Sequence, residues 1–258
     1  MAFYYMTSFE VDSGNPYLSS LNGVLYNKDQ TKLIRFPDRH TTASYDVVEC
    51  TVASTVKEIA PYSFASTGVT DVNLPSGLET IGDLAFYNAT KLVDITIPDS
   101  VKTIGTGAFK NCSKMTKATL PEGLETIPQE CFSVCKKLES VNIPDSVTKI
   151  SYGAFTHCAL KEINISKNLT VISIPGYTFG GCPAAITVDA ANPNYSADER
   201  GVLYNKDKSL LLHCPNFEKA FTFDISCGIE QYAFSNCANL TDVTFSFAIK
   251  KIPFGAFR

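Results

Sequence analysis

The apolar positions of this chain recur with a fixed period. Isoleucines stand at 59, 81, 104, 127, 150, 174, 229 and 252, and each is followed five residues later by a phenylalanine, from Phe64 through to Phe257. From Ile81 to Ile150 the step is 23 residues every time. Within a period, segments such as Leu92–Ile97, Met115–Leu120 and Leu138–Ile143 alternate apolar and polar residues at their ends, the pattern of a strand with one buried face. Proline follows at 75, 98, 121 and 144. Lacking an N–H, it cannot continue a ladder, so the strand ends there. Val101 and Ile104 come next, then a glycine-containing turn and the Ala-Phe pair, spaced to point inward as the chain rounds the far side. A short 3₁₀ or helical turn is predicted for that segment.

No single unit of this length can bury its Leu, Ile, Val and Phe side chains alone, so the units must stack, with strands about 4.8 Å apart in a parallel sheet. The predicted fold is a single solenoid over residues 1–258, mainly β, with one parallel strand per turn of about 23 residues. Around nine turns make a rod roughly 40 Å long, with the repeat phenylalanines in a column through its core. Regular repeats occupy 59–182 and 229–258, and the last of them stops at its sixth residue. A coil cut at that point exposes an apolar end, so the chain is expected to be a piece of something longer or to have that end covered by a partner.

A second repeat is nested in the first. Val11–Asp29 returns as Val188–Asp207 with a one-residue gap, and both copies close on Gly-Val-Leu-Tyr-Asn-Lys-Asp. An apolar run follows in each, Leu33-Ile34 or Leu210-Leu211-Leu212, ending at Pro37 or Pro215. This pattern predicts a β-hairpin with Asn and Asp in its turn, carried by longer repeats over 9–37 and 183–215. The hairpin serves either the scaffold itself or, as an alternative, a specialised ligand loop.

The pattern Ile-Gly-x-x-Ala-Phe-x-x-Cys, read at Ile104–Cys112, and Leu-x-x-Val-x-Ile-Pro-x-Ser-Val-x-x-Ile, read at Leu138–Ile150, closely resembles the BspA-like leucine-rich repeat. The Asn-Pro-Tyr and Gly-Val-Leu-Tyr-Asn-Lys-Asp inserts resemble longer units of the same family. The resemblance runs from about residue 9 to 258. It implies a right-handed leucine-rich-repeat superhelix and a surface or secreted location, because members are typically exposed proteins of host-associated bacteria and some protists. It also implies adhesion to host or microbial proteins and glycoproteins. Three segments depart from the pattern: Ile174–Phe179 lacks the alanine, Phe245-Ser-Phe247 replaces the Ile-Pro ending, and the return from Pro215 to Ile229 is short.

Composition narrows the function. Net charge is −4, the isoelectric point is near 5.4, and no run of Lys or Arg exceeds two. The basic footprint of a nucleic-acid binder is missing. No stretch approaches the roughly 18 apolar residues of a spanning helix, and the opening MAFYYMTSFE is no secretory leader. Five of the nine cysteines, Cys112, Cys135, Cys158, Cys182 and Cys237, stand three residues after a repeat phenylalanine, where other repeats have Thr67 and Ala89. A small buried side chain is wanted there. Reduced, stacked thiols are the favoured reading over deliberate crosslinks, and Cys131-x₃-Cys135 has no second pair at zinc spacing. His40, His157 and His213 have unrelated contexts, which favours surface or loop roles for them. With no phosphate loop, nucleophile elbow or H-E-x-x-H motif, no enzyme and no cofactor are expected. Six N-x-S/T sequons, at Asn88, Asn111, Asn164, Asn168, Asn194 and Asn239, fall partly on repeat positions where asparagine serves the backbone.

Binding is therefore expected on the concave sheet face. The outward residues of the repeat strands are Asp71 and Asn73, Asp94 and Thr96, Lys117 and Thr119, Ser140 and Asn142, Glu162 and Asn164, and Asp242 and Thr244. The set is small, polar and mildly acidic, without the Tyr, Trp or Arg that anchor tight protein interfaces. It reads as a solvated face, or as one for weak, multivalent contacts with proteins or glycans. A passive spacer that presents another domain is the alternative to an adhesion module.

Overall fold

In the computed structural model of the protein, which describes residues 6–38, 48–217, 219–246 and 249–258, the chain winds into a β-solenoid of about nine turns with about 23 residues in each. Strands Asp94–Thr96, Lys117–Thr119 and Ser140–Asn142 pair in parallel and in register, one period apart. In the same way Glu49–Thr51 pairs with Asp71–Asn73, Glu162–Ile165 with Ala185–Val188, and Phe221–Ile225 with Leu240–Phe245. Three-residue strands stop two residues short of Pro98, Pro121 and Pro144, which have no N–H with which to continue the ladder. Each proline then opens a tight turn; the carbonyl of Pro98, for example, accepts the N–H of Val101 at 3.0 Å.

The structure adds a second ladder to each turn. Glu58–Ile59, Thr80–Ile81 and Thr103–Ile104 pair in parallel, as do Thr126–Ile127, Lys149–Ile150 and Val171–Ile172. The buried isoleucine of each pair points inward. The spacing rule singles out Ile174 for its coil, but Ile172 holds the ladder position, opposite Ile150. The two extra residues before Phe179 are absorbed by a short helix, Pro175–Thr178, entered through Ile174 at φ 44°.

On the far side, where a short 3₁₀ or helical turn is expected, the chain makes hydrogen-bonded turns instead, and Pro175–Thr178 is the only α-helix among the described residues. Their form comes from two left-handed residues per coil, such as Leu84 at φ 53° and Asn88 at φ 57°. Between and at these two positions the N–H groups of Leu84, Phe86 and Asn88 point to the next coil, onto the carbonyls of Thr106, Ala108 and Lys110 at 2.9, 2.7 and 2.9 Å. The intervening N–H groups of Ala85, Tyr87 and Ala89 close local turns. Backbone groups on this face are thereby satisfied without a helix.

Inside, Phe36, Phe64, Phe86, Phe109, Phe132, Phe155 and Phe179 form one stacked column, with successive centroids between 4.7 Å (Phe64–Phe86) and 6.2 Å (Phe155–Phe179). Phe36 enters from the first hairpin repeat. After Phe179 the next ring is the imidazole of His213, at 5.7 Å, and stacking resumes at Phe234–Phe257. The buried residues fall into a long cluster from Val24 to Leu212 and a smaller one from Val202 to Ala256.

The buried thiols have a bonding role beyond their size. Cys112, Cys135, Cys158 and Cys182 donate S–H to the carbonyls of Phe86, Phe109, Phe132 and Phe155 one coil back, at 3.1, 3.1, 3.1 and 2.9 Å. All nine cysteines are unbridged. Burial pushes the thiols of Cys112, Cys131 and Cys158 well above the ordinary range.

Both hairpin repeats are three-stranded meanders: Leu18–Leu21, Val24–Asn27 and Lys32–Arg35, then Tyr195–Ala197, Leu203–Asn205 and Leu210–His213. Their third strands join the isoleucine ladder, Leu33 opposite Ile59 and Leu211 opposite Ile229. The Asn and Asp side chains close their own turns. Asn27 and Asn205 accept the N–H groups of Lys32 and Leu210, each at 2.8 Å.

Candidate functional site

The outward residues of the strand ladder lie in two columns. In the first, Asp94, Lys117 and Ser140 are directly paired neighbours; in the second, Thr96, Thr119 and Asn142 are. Asp71 and Asn73 extend these columns in the preceding coil, and Glu162 and Asn164 in the following one. Exposure alternates, for Asp71, Asp94, Lys117, Glu162 and Asn164 are exposed while Val72, Ile95, Ala118 and Ile163 between them are buried and Val141 is half-buried. Asp242 and Thr244 are exposed too, but on a separate pair, opposite Thr222 and Asp224.

Pairing also brings residues to this face that the repeat pattern does not mark. Glu49 and Thr51 stand beside Asp71 and Asn73, and Ala185 and Thr187 beside Glu162 and Asn164. The period-2 alternation of Glu-Cys-Thr and Ala-Ile-Thr is the signal for them, but neither follows the usual Leu-x-x lead. The first column thus begins with three carboxylates, Glu49, Asp71 and Asp94, before Lys117 interrupts it.

Several of these side chains have partners within the scaffold. Asn142 accepts the N–H of Leu120 at 2.8 Å, and so seals the edge of the neighbouring strand. Asp94 accepts the hydroxyl of Thr116 at 2.7 Å, and Asn164 accepts that of Thr187. The ladder is interrupted between Asp71–Asn73 and Asp94–Thr96 and again between Ser140–Asn142 and Glu162–Ile165, which belong to different sheets; the first of these gaps is the open one. An open groove of about 390 Å³ lies there, with Asp71, Asn73, Ser76, Asp94 and Thr96 among its lining.

The sequence that builds this repeating geometry matches the family model of the BspA-type leucine-rich-repeat region, in six copies over residues 57–186 and 207–258. The chain belongs to that family. Among solved structures, a leucine-rich cell surface protein of Faecalibacterium prausnitzii is similar, at 28% identity and a TM-score of 0.64, over 91% of this chain and 72% of that one. A leucine-rich-repeat protein of Eubacterium ventriosum (24% identity, TM-score 0.57) and the pneumococcal vaccine antigen PcpA (19%, TM-score 0.54) share the fold. This BspA-type chain covers 99% and 95% of its own length in those two comparisons, but only 54% and 56% of theirs. No curated protein matches it. No helix among the described residues is long and apolar enough to cross a membrane.

The histidines do not share a role. His157 is exposed, His40 lies outside the described residues, and His213 departs from the surface placement expected of it, being 1% exposed. The third strand of the second meander buries it because both faces are covered there, with Leu211, Leu212, His213 and Cys214 all buried. Among the described residues no group of three or more His, Cys, Asp or Glu has the arrangement of a metal site.

Proposed function

We propose that the protein is a non-enzymatic surface or secreted interaction module that binds host or microbial proteins and glycoproteins through its strand face. The observation that supports this reading is the pair of solvent-facing polar columns repeated coil after coil, which present the same kinds of groups at strand spacing along a rigid scaffold. Shallow contacts of that kind gain strength by summation along the array. Resemblance to a bacterial cell surface protein at 28% identity supports the location. The binding residues are Asp71, Asn73, Asp94, Thr96, Lys117, Thr119, Ser140, Asn142, Glu162, Asn164, Asp242 and Thr244, with an open groove between Asp71 and Asp94.

A passive spacer is the second reading, and the lack of any aromatic or Arg side chain among those twelve residues favours it. An array of immobilised host glycoproteins and defined glycans separates the two. Binding that is lost in Thr96→Arg/Thr119→Arg but kept in Glu122→Lys, which lies off the face, supports the module. Binding equal in both variants, or none above a blank surface, supports the spacer.

A further inference from the structure

The two hairpin repeats are near copies, yet they diverge where their third strand leaves the ladder. The first reads Leu33-Ile34-Arg35-Phe36-Pro37 and the second Leu211-Leu212-His213-Cys214-Pro215. In the first copy Arg35 reaches Asp38 and the carbonyl of Tyr62, both at 2.6 Å, and Phe36 takes its place in the aromatic column. In the second copy His213 is buried against Phe179 and Cys214 occupies the column-forming place, its N–H bound to the carbonyl of Ala233 at 2.7 Å.

This position is a junction. On the far side the coil ending in Phe179 packs directly on the coil of Phe234: Gly181 donates to the carbonyl of Ser235 at 3.3 Å, and a Cβ at Gly176 would lie 2.3 Å from the carbonyl of Tyr232. On the ladder side the second meander is wedged between the same two coils. His213 therefore sits where the long apolar cluster, which contains Phe179 and Leu212, meets the short one, which contains Leu211, Cys214 and Phe234. Both of its ring nitrogens are buried and bond to nothing among the described residues.

The titratable groups on the elements packed about it are Tyr177 and Cys182 on the preceding coil, and Asp198, Arg200 and Tyr204 on the paired strand and its turn. Cys214, Glu230, Tyr232 and Cys237 complete them on the following side. Arg200 lies over Phe223, and Asp198 accepts from Arg200 and Tyr204. The thiol of Cys237 donates to the carbonyl of Cys214. Among the described residues no carboxylate is placed to receive a protonated imidazole.

We propose that His213 makes this junction acid-labile, so that taking up one proton parts the last coils from the rest of the solenoid while the regular coils before them stay wound. Burial holds the folded imidazole down at about 3, against about 6.5 when it is exposed. A group whose folded value is depressed in this sense, with the charge excluded from the core, stabilises the junction above the exposed value. That contribution is lost as pH falls between the two.

Hydrogen exchange resolved by peptide and corrected for the intrinsic pH dependence tests this. Opening of peptides over 174–182 and 229–237 is expected to rise roughly tenfold per pH unit below about 6.5, while peptides over 104–150 show no such rise. In His213→Leu the acid response of the junction peptides is expected to disappear. His213→Phe, which restores a column ring, gives the same expectation if the leucine variant fails to fold. An unchanged acid response in the variant that folds, or equal acid opening of the 104–150 peptides, overturns the proposal.

Discussion

At the scale of single residues, the left-handed positions show how little the chain relies on local preference. Tyr62, Leu84, Glu130, Val134 and Tyr232 all adopt positive φ, as do Gly107, Gly153 and Gly255 at the place of Leu84. A non-glycine residue in that region costs about 1–2 kcal/mol, and the intercoil hydrogen bonds made around these turns offset it. Val134 is the worst fit, being β-branched at φ 63° where other coils have Asn88, Asn111 and Asn236. Val134→Asn is therefore expected to stabilise the protein by about 0.5–1 kcal/mol, read from chemical denaturation; destabilisation would show that the valine's packing outweighs its backbone strain. The column phenylalanines behave oppositely. Phe109→Ala removes a fully buried ring between two stacked neighbours and should cost roughly 3–5 kcal/mol. Phe257→Ala, at a ring 41% exposed, should cost under about 2 kcal/mol. Equal losses in the two would contradict the column.

At the scale of elements, the apolar period and the alternating strands were legible because 23-residue spacing and period-2 patterning extend over many residues. The two-residue isoleucine ladder was not, since Thr-Ile or Lys-Ile alone carries no alternation. The left-handed turns were hidden for a similar reason, with Leu, Glu, Val and Tyr there signalling nothing. The shift from Ile174 to Ile172 came from two inserted residues that preserve an Ile-to-Phe spacing of five by coincidence. The face columns followed from alternation, and Glu49, Thr51, Thr187, Thr222 and Asp224 were missed where the Leu-x-x lead is absent. For the cysteines, repetition gave their small size and burial but not the S–H bond to the carbonyl one coil back, since that partner is 26 residues away. Because burial raises the thiols of Cys112, Cys131 and Cys158, as it raises the phenols of Tyr26 and Tyr204 to about 12, their protonated forms are stabilised by folding. That contribution is complete below the unfolded thiol value of about 8.5 and is lost as pH climbs above it. The melting temperature is expected to fall between about pH 8.5 and 11, and replacing Cys112, Cys131 and Cys158 together with alanine should flatten the onset. A melting temperature that holds steady through that range would contradict it.

At the scale of the whole molecule, each coil contacts chiefly the coils before and after it, so stability is a sum of coil and interface contributions rather than the property of one closed core. Two places break the uniformity: the first meander, where Phe36 starts the column, and the second, where His213 ends it. Between them the coils from Ile81 to Ile150 are interchangeable in length and register. The polar columns of the strand face inherit that regularity, and a binding role for the face depends on it. Excision of residues 105–127, which joins Ile104 to Pro128 and removes one whole turn, tests the stacking of coils most directly. Stacked coils predict a shorter protein that keeps its β circular dichroism per residue and still melts in a single cooperative transition. Loss of cooperative melting after that exact excision would show that the coils do not stack as independent, equivalent turns.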